Sequence, residues 1–184
     1  MTENVPKRRQ VQDDIREQQL AVQLQLERND KRTGSDARDE FGNRYELKTV
    51  TTNNVTTGRD VGLPYLSRLR NSYLICAKGT NTDYGFQTQA IYFLSPTMME
   101  DWIVSLENRL VTDKNLVDRA VAELEAIDFD GNLERLRYLA SRGLTINNPK
   151  ISWPYITSHG VAIEGQPALH LRELIGLNPI IPRA

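Results

Sequence analysis

Polar and apolar residues alternate most cleanly over residues 44–50, Arg-Tyr-Glu-Leu-Lys-Thr-Val, where Tyr45 and Leu47 fall on one side of an extended chain and Glu46 and Lys48 on the other. The alternation and the β-formers predict a strand. Two short apolar runs bounded by turn residues, 72–77 and 87–94, predict two more, so that a central sheet is expected. Residues 9–28 behave differently: they contain no Gly or Pro and set Val11, Ile15, Leu20, Val22, Leu24 and Leu26 among Gln, Glu and Arg. That pattern predicts an N-terminal helix with an incomplete apolar stripe. Residues 31–43, rich in Gly, Ser, Asp and Arg, predict a turn between this helix and the first strand.

Helical periodicity returns after Pro96, over 97–110, 115–127 and 133–141, with Pro96 or Thr97 opening the first helix and Gly143 closing the third. Short extended pieces at 151–153 and 161–164 precede a last helix at 167–175, and Pro179 and Pro182 stop anything beyond it. Strands mixed with helices, without a regular βαβ repeat, predict a mixed α/β or α+β domain.

The chain has 184 residues, 39% of them hydrophobic, which suits one compact domain with its own core. A formal charge of -1 and a pI near 6.2 exclude a sequence-blind nucleic-acid coat, which needs a large excess of Lys and Arg. They leave room for a protein whose carboxylates bind metal while its basic side chains face phosphate. The single cysteine, Cys76, lies in the apolar run 73–77 and reads as a buried thiol, in keeping with a reducing compartment. The polar start of the chain has no apolar stretch behind it, and nowhere do eighteen apolar residues run together. A soluble, cytoplasmic protein with no membrane partner is expected.

Glu46 and Lys48, two apart on a strand, set a carboxylate beside an ammonium. Asp36, across a turn containing Gly42, can bring a second carboxylate to the same point. Two carboxylates and a strand carbonyl make a partial shell of hard oxygens that suits Mg²⁺. With Lys48 to orient a water and stabilise developing charge, the parts needed for phosphodiester hydrolysis are present. A Glu-x-Lys triplet alone is common, and it equally fits a strand face that merely meets solvent.

The surrounding residues narrow the choice. Gly34-Ser35-Asp36-Ala37-Arg38-Asp39 and Gly42-Asn43-Arg44-Tyr45-Glu46-Leu47-Lys48-Thr49 resemble the active-site segment of the PvuII family of type II restriction endonucleases, within the PD-(D/E)xK nuclease superfamily. Ile146-Asn147-Asn148-Pro149-Lys150-Ile151, followed by Tyr155 and His159-Gly160, resembles the segment with which that family reads bases. The resemblance runs over residues 34–164, patchily between 65 and 143, and the N-terminal helix has no counterpart in it. It implies a restriction-endonuclease-like central mixed β-sheet flanked by helices, with an N-terminal helix for dimerisation. The implied activity is Mg²⁺-dependent hydrolysis of double-stranded DNA at a short palindromic site. Asp36, Glu46 and the Leu47 carbonyl would hold the metal, Lys48 would be the catalytic lysine, and a cognate DNA methyltransferase would be the genetic partner.

The chain departs from the family where a run of histidines is expected and Gly58-Arg59-Asp60-Val61 stands instead, so the target site should differ. Arg59 can hold guanine and Asp60 can accept from cytosine, or the two form a solvated loop pair. Asn147 and Asn148 fit bidentate contact with adenine, or they form the turn that Asn-Asn-Pro favours, with Lys150 beside them on the DNA. A family tyrosine near the catalytic centre is replaced, by Arg70 if no gap intervenes. The Thr-rich run at 49–57 supplies either phosphate contacts or an ordinary strand edge, His159 and His170 read as structural, and Trp102 and Trp153 as core or interface. The segments expected are 1–33 for dimerisation, 34–95 for the catalytic core, 96–143 for the helices and 144–184 for DNA recognition and the C-terminus. A homodimer through the N-terminal helix matches the two-fold symmetry of a palindrome, though the same apolar residues could pack against the core. Two rival functions remain at this stage: a structure-specific repair or recombination nuclease, and a DNA-binding protein that does not cleave.

Overall fold

The computed structural model describes residues 8–29, 34–83, 85–127, 133–141 and 143–180. Helix α1 (Arg8–Gln23) ends where Gln25 takes a left-handed φ of 56°, and the chain turns into β1 (Glu27–Arg28) rather than continuing as helix to residue 28. Strand β2 (Ala37–Arg38) and strand β3 (Arg44–Val50) form a hairpin, followed by β4 (Asn54–Thr56), β5 (Asp60–Val61) and helix α2 (Leu63–Leu69). Helix α2, which the sequence pattern did not reveal, opens on Pro64 in its first turn. Strands β6 (Tyr73–Thr82) and β7 (Gly85–Leu94) make a long antiparallel ribbon that extends the two expected strands toward a common turn.

The two helices expected at 97–110 and 115–127 are one: after a 3₁₀ turn (Thr97–Met99), α3 runs unbroken over Glu100–Ala126. No Gly or Pro interrupts this stretch, and the exposed pairs Arg109–Asp113 and Lys114–Asp118 bridge it at helical spacing. Helix α4 (Leu133–Ser141) packs on α3; β8 (Ile146–Asn147) and β9 (Lys150–Ser152) follow. The chain then forms α5 (Trp153–His159), β10 (Val161–Ala162) and α6 (Pro167–Leu177). Helix α5, also unforeseen, is capped by the Ser152 side chain accepting from the Tyr155 N–H.

The central sheet has six strands in the order β1-β2-β3-β6-β7-β10, antiparallel throughout except for the parallel pair β3 and β6. Its mixed character and helical flanks agree with the restriction-endonuclease-like architecture expected. Each face carries a core. On one, Tyr45, Leu47, Tyr73, Ile75 and Phe93 pack under Leu20, Ala21 and Leu24 of α1 and Leu171 and Leu174 of α6. On the other, Leu74, Cys76 and Leu94 meet α2, the first turns of α3, and α5. Tyr73 through Ala77 are buried on both sides, which is why the sequence there is a continuous apolar run rather than an alternation.

The long ribbon carries a register shift between Lys78 and Gly79. A Cβ built on Gly79 would lie 2.2 Å from the Gln87 carbonyl oxygen, so the close approach of the two strands requires glycine there. Gly79→Ala is expected to lower stability by about 1–3 kcal/mol, measured as a shift in denaturant midpoint; an unchanged midpoint would contradict so close an approach.

Candidate active site

The β2–β3 hairpin sets the separation between Asp36 and Glu46. Its turn is organised by Asp39, whose Oδ1 accepts the main-chain N–H groups of Phe41 and Asn43 at 3.0 and 2.8 Å. Its Oδ2 accepts from Asn43 Nδ2 at 2.7 Å and from the Tyr45 hydroxyl at 2.9 Å. Gly42 supplies the left-handed residue, with φ +83°. The resulting register pairs Ala37 with Tyr45, and continuing it by one residue puts Asp36 opposite Glu46.

Asp36 Oδ2 accepts the Leu47 N–H at 2.8 Å, which fixes the carboxylate against the strand. The same oxygen accepts from Lys48 Nζ at 3.0 Å, and that ammonium also donates to the Leu47 carbonyl at 2.6 Å and to Glu17 Oε1 at 3.3 Å. Glu46 is 3% exposed, and its Oε1 is buried with no hydrogen-bond partner. Arg68 Nε of α2 stands 3.4 Å from that oxygen without the alignment of a hydrogen bond, an ion pair rather than a bonded one. The Arg68 guanidinium lies over the Tyr65 ring, 4.6 Å from its centre.

Burial raises the Glu46 carboxyl to about 7, with Asp36 adding to the rise and Lys48 and Arg68 opposing it. Glu17 is pushed up to about 7 in the same way, first by burial, against the pull of Lys48. For Lys48, burial disfavours the ammonium, but Asp36, Glu17 and Glu46 outweigh it and hold the pKa above its ordinary value. The lysine stays charged, and a strongly proton-retaining ammonium is suited to stabilising negative charge rather than to removing a proton.

The sequence-derived set of Asp36, Glu46, Leu47 and Lys48 is thus brought together. Among the described residues no group of three or more His, Cys, Asp or Glu side chains is arranged to hold a metal ion. The candidate ligands are instead two carboxylates and a carbonyl. Hard oxygens of this kind suit Mg²⁺, and the buried Glu46 Oε1, which accepts no hydrogen bond, is an acceptor that a cation would satisfy.

The candidate base-reading residues also meet. Asp60 pairs with Asn147 and Val61 with Ile146, while Asn54, Val55 and Thr56 pair with Ser152, Ile151 and Lys150. The Asn148 N–H donates to the Arg59 carbonyl at 2.8 Å. Arg59, Asp60, Asn147, Asn148 and Lys150, from two segments far apart in sequence, all end exposed on these two small ribbons. Asn148 does adopt the turn conformation its neighbours favour, with φ 47°, and its Nδ2 donates to Asn147 Oδ1 at 2.6 Å. Of the threonines, Thr57 is buried and bonds the Pro149 carbonyl, and Thr49 Oγ1 is buried, so neither can reach a phosphate, whereas Thr51, Thr52 and Thr56 are exposed.

Arg70 is engaged elsewhere: its guanidinium pairs with Glu100 and Glu107 of α3. The α2 side chains at the candidate cluster are Tyr65 and Arg68, which the ungapped reading of the sequence passed over. Glu17 was also missed. It sits three and four residues before Leu20 and Ala21, on the buried stripe of α1, and a charge inside an apolar stripe was the available signal. His159 stacks on Tyr155 with ring centres 3.9 Å apart, and His170 accepts the Glu164 N–H at 3.0 Å, as structural histidines do. Trp153 packs edge-on to Tyr92, and the Trp102 indole donates to the Lys150 carbonyl at 3.2 Å.

Comparison with protein families decides the wider assignment. The family model for restriction endonuclease PvuII matches residues 10–133. The chain belongs to the PvuII restriction endonuclease family. It is a type II restriction endonuclease, a site-specific deoxyribonuclease that binds and hydrolyses DNA. A search of curated proteins finds no match. The PvuII family match takes in most of α1, which had no counterpart in the sequence reading, and it stops short of the 146–151 segment. Among the described residues no helix is long and apolar enough to cross a membrane.

Burial of Glu46 gives this endonuclease a testable pH signature. The folded chain keeps the Glu46 proton up to about pH 7 while an unfolded chain releases it near 4.5, so between these values the folded state binds more protons and stability falls as pH rises. Without added metal, Glu46→Gln is therefore expected to stabilise at pH 8, by about 1–2 kcal/mol. The gain should shrink through the interval and vanish by about pH 4. Thermal melts of both proteins across that range check it, and a gain that grows toward acid pH would contradict the burial argument.

Proposed function

We propose that the enzyme hydrolyses duplex DNA at a short palindromic site in a Mg²⁺-dependent reaction, with Asp36, Glu46 and the Leu47 carbonyl holding the metal and Lys48 as the catalytic lysine. The observation that carries this reading is the meeting of the Asp36 carboxylate, the buried Glu46 carboxylate with no hydrogen bond to its Oε1, and the Lys48 ammonium beside β3. Bound there, Mg²⁺ would polarise a phosphoryl oxygen and lower the pKa of a water. The protein's own groups supply the rest. Asp36 is held by the Leu47 N–H, so its carboxylate is fixed at the site without reorganisation. Lys48, kept charged by its carboxylate neighbours, orients the attacking water and offsets charge developing on the phosphorane oxygens. Cleavage of the P–O3′ bond leaves 5′-phosphate and 3′-hydroxyl ends, blunt if the family geometry is retained.

Arg59, Asp60, Asn147, Asn148 and Lys150 are the proposed DNA contacts. Their convergence on exposed paired strands supports a two-stranded reading element of the kind that fits a major groove. One such site cuts one strand, so double-strand cleavage calls for a homodimer. On α1 the core stripe is used within the chain, while Ile15 and Val22 stay exposed, which supports an interface on that helix. The chain is read as one endonuclease domain over 1–184, acting in the cytoplasm, with a DNA methyltransferase as the genetic partner that protects the host.

Plasmid and phage DNA incubated with Mg²⁺ should yield discrete fragments, and with Ca²⁺ none. Asp36→Ala, Glu46→Ala or Lys48→Ala should each lower the cleavage rate at least about a thousandfold while DNA binding in Ca²⁺ persists. Nicking that depends on DNA branches, or binding with no cleavage under any metal, would overturn the proposal. Asn147→Ala and Asn148→Ala are expected to erode discrimination by about 1–3 kcal/mol at one base pair of the site, read as relative cleavage of sites altered singly. Unchanged discrimination in both would remove these amides from the reading element.

A further inference from the structure

Lys48 Nζ rests on the same Asp36 Oδ2 and Leu47 carbonyl that the proposed metal site uses, at 3.0 and 2.6 Å. Asp36 Oδ2 already accepts from both the Leu47 N–H and Lys48 Nζ, so a divalent cation sharing these oxygens would compete with the ammonium and repel it. A catalytic lysine at this place therefore needs somewhere else to go that is close and negatively charged. Its third partner, Glu17 Oε1 at 3.3 Å, comes from α1 and belongs to neither the strand nor the hairpin. The Glu17 side chain is 14% exposed, on the stripe formed with Leu20, Ala21 and Leu24. A carboxylate is costly on a packed helix face unless a charge partner is supplied, and Lys48 is the near one. Arg28 stands at 4.0 Å from Glu17 Oε2 and is also bonded to Asp14.

We propose that Glu17 is a positioning residue for Lys48, the acceptor that draws the ammonium off Asp36 and the Leu47 carbonyl and holds it in its working place when the metal site is filled. The inference rests on the metal reading above and adds a role for α1, whose contribution would otherwise be packing and dimerisation alone. Glu17 acts through Lys48, so its effect must disappear when Lys48 loses its charge. A Glu17 that itself ligated metal would act whether or not the lysine were present.

The test is a double-mutant cycle on Ca²⁺ affinity, measured by calorimetric titration of the intact protein without DNA, for wild type, Glu17→Gln, Lys48→Met and the double variant, with Asp36→Asn as control. Glutamine keeps the shape of Glu17, and coincident thermal melts and circular dichroism show that each variant is folded. Glu17→Gln is expected to weaken Ca²⁺ binding about tenfold when Lys48 is present and less than about twofold in the Lys48→Met background, whereas Lys48→Met alone should tighten it. In Mg²⁺, Glu17→Gln should lower kcat and leave KM for DNA unchanged. Equal weakening in both backgrounds would make Glu17 a ligand and overturn the proposal, as would no weakening in either. Ca²⁺ binding that ignores Asp36→Asn would overturn the metal reading and this role with it; dependence on Asp36 with a Glu17 effect indifferent to Lys48 would overturn this role alone.

Discussion

The hydrogen bond from the Leu47 N–H to Asp36 Oδ2 is the constraint on which the site depends. It ties a carboxylate just ahead of the two-residue strand β2 to β3, at the point where Glu46 and Lys48 emerge on the same face. Its geometry is set by the Asp39-centred turn, four hydrogen bonds on one side chain, which fixes the β2–β3 register. A slip of one residue would turn Glu46 and Lys48 into the apolar core and Leu47 out of it. The aromatic packing of Tyr45, Tyr73 and Phe93, with ring centres 5.6 and 5.2 Å apart across three strands, holds the opposite face against such a slip.

Without metal the site is only partly neutralised. Lys48 sits on Asp36 and Glu17, and Arg68 on Glu46, so three inward carboxylates meet two cations drawn from β3 and α2. Burial of like charges at this density is otherwise expensive, and the raised pKa values of Glu17 and Glu46 register the cost. The helix that brings Arg68 also begins one residue after the β5–β8 ribbon: β5 ends at Val61, Gly62 caps α2, and Tyr65 on that helix hydrogen-bonds the Thr57 carbonyl. The segment that carries Arg59 and Asp60, the proposed DNA contacts, therefore continues directly into the helix whose guanidinium faces a proposed metal ligand.

Local patterns in the sequence were enough for β3, because Tyr45-Glu46-Leu47-Lys48 alternates and its neighbours specify a turn. They were also enough for the inner parts of β6 and β7, at 73–77 and 91–94, where apolar runs coincide with burial. The residues that could not be read are those whose place depends on long-range packing. Helix α2 is too short to show a period, so Arg68 went unnoticed and Arg70, which faces α3, stood in its place. Glu17 looked like one more polar residue on a polar helix until Leu20, Ala21 and Leu24 were seen to define which face is buried. The pairing of 59–60 with 147–148 joins segments with no local signal for each other.

If Asp36, Glu46 and the Leu47 carbonyl enclose a divalent cation, anomalous scattering from crystals soaked in Mn²⁺ will reveal it. One peak bounded by those three groups is expected, with Lys48 Nζ displaced from Asp36 toward Glu17. Manganese bound elsewhere, or Lys48 still seated on Asp36 in crystals that hold the metal, would contradict it.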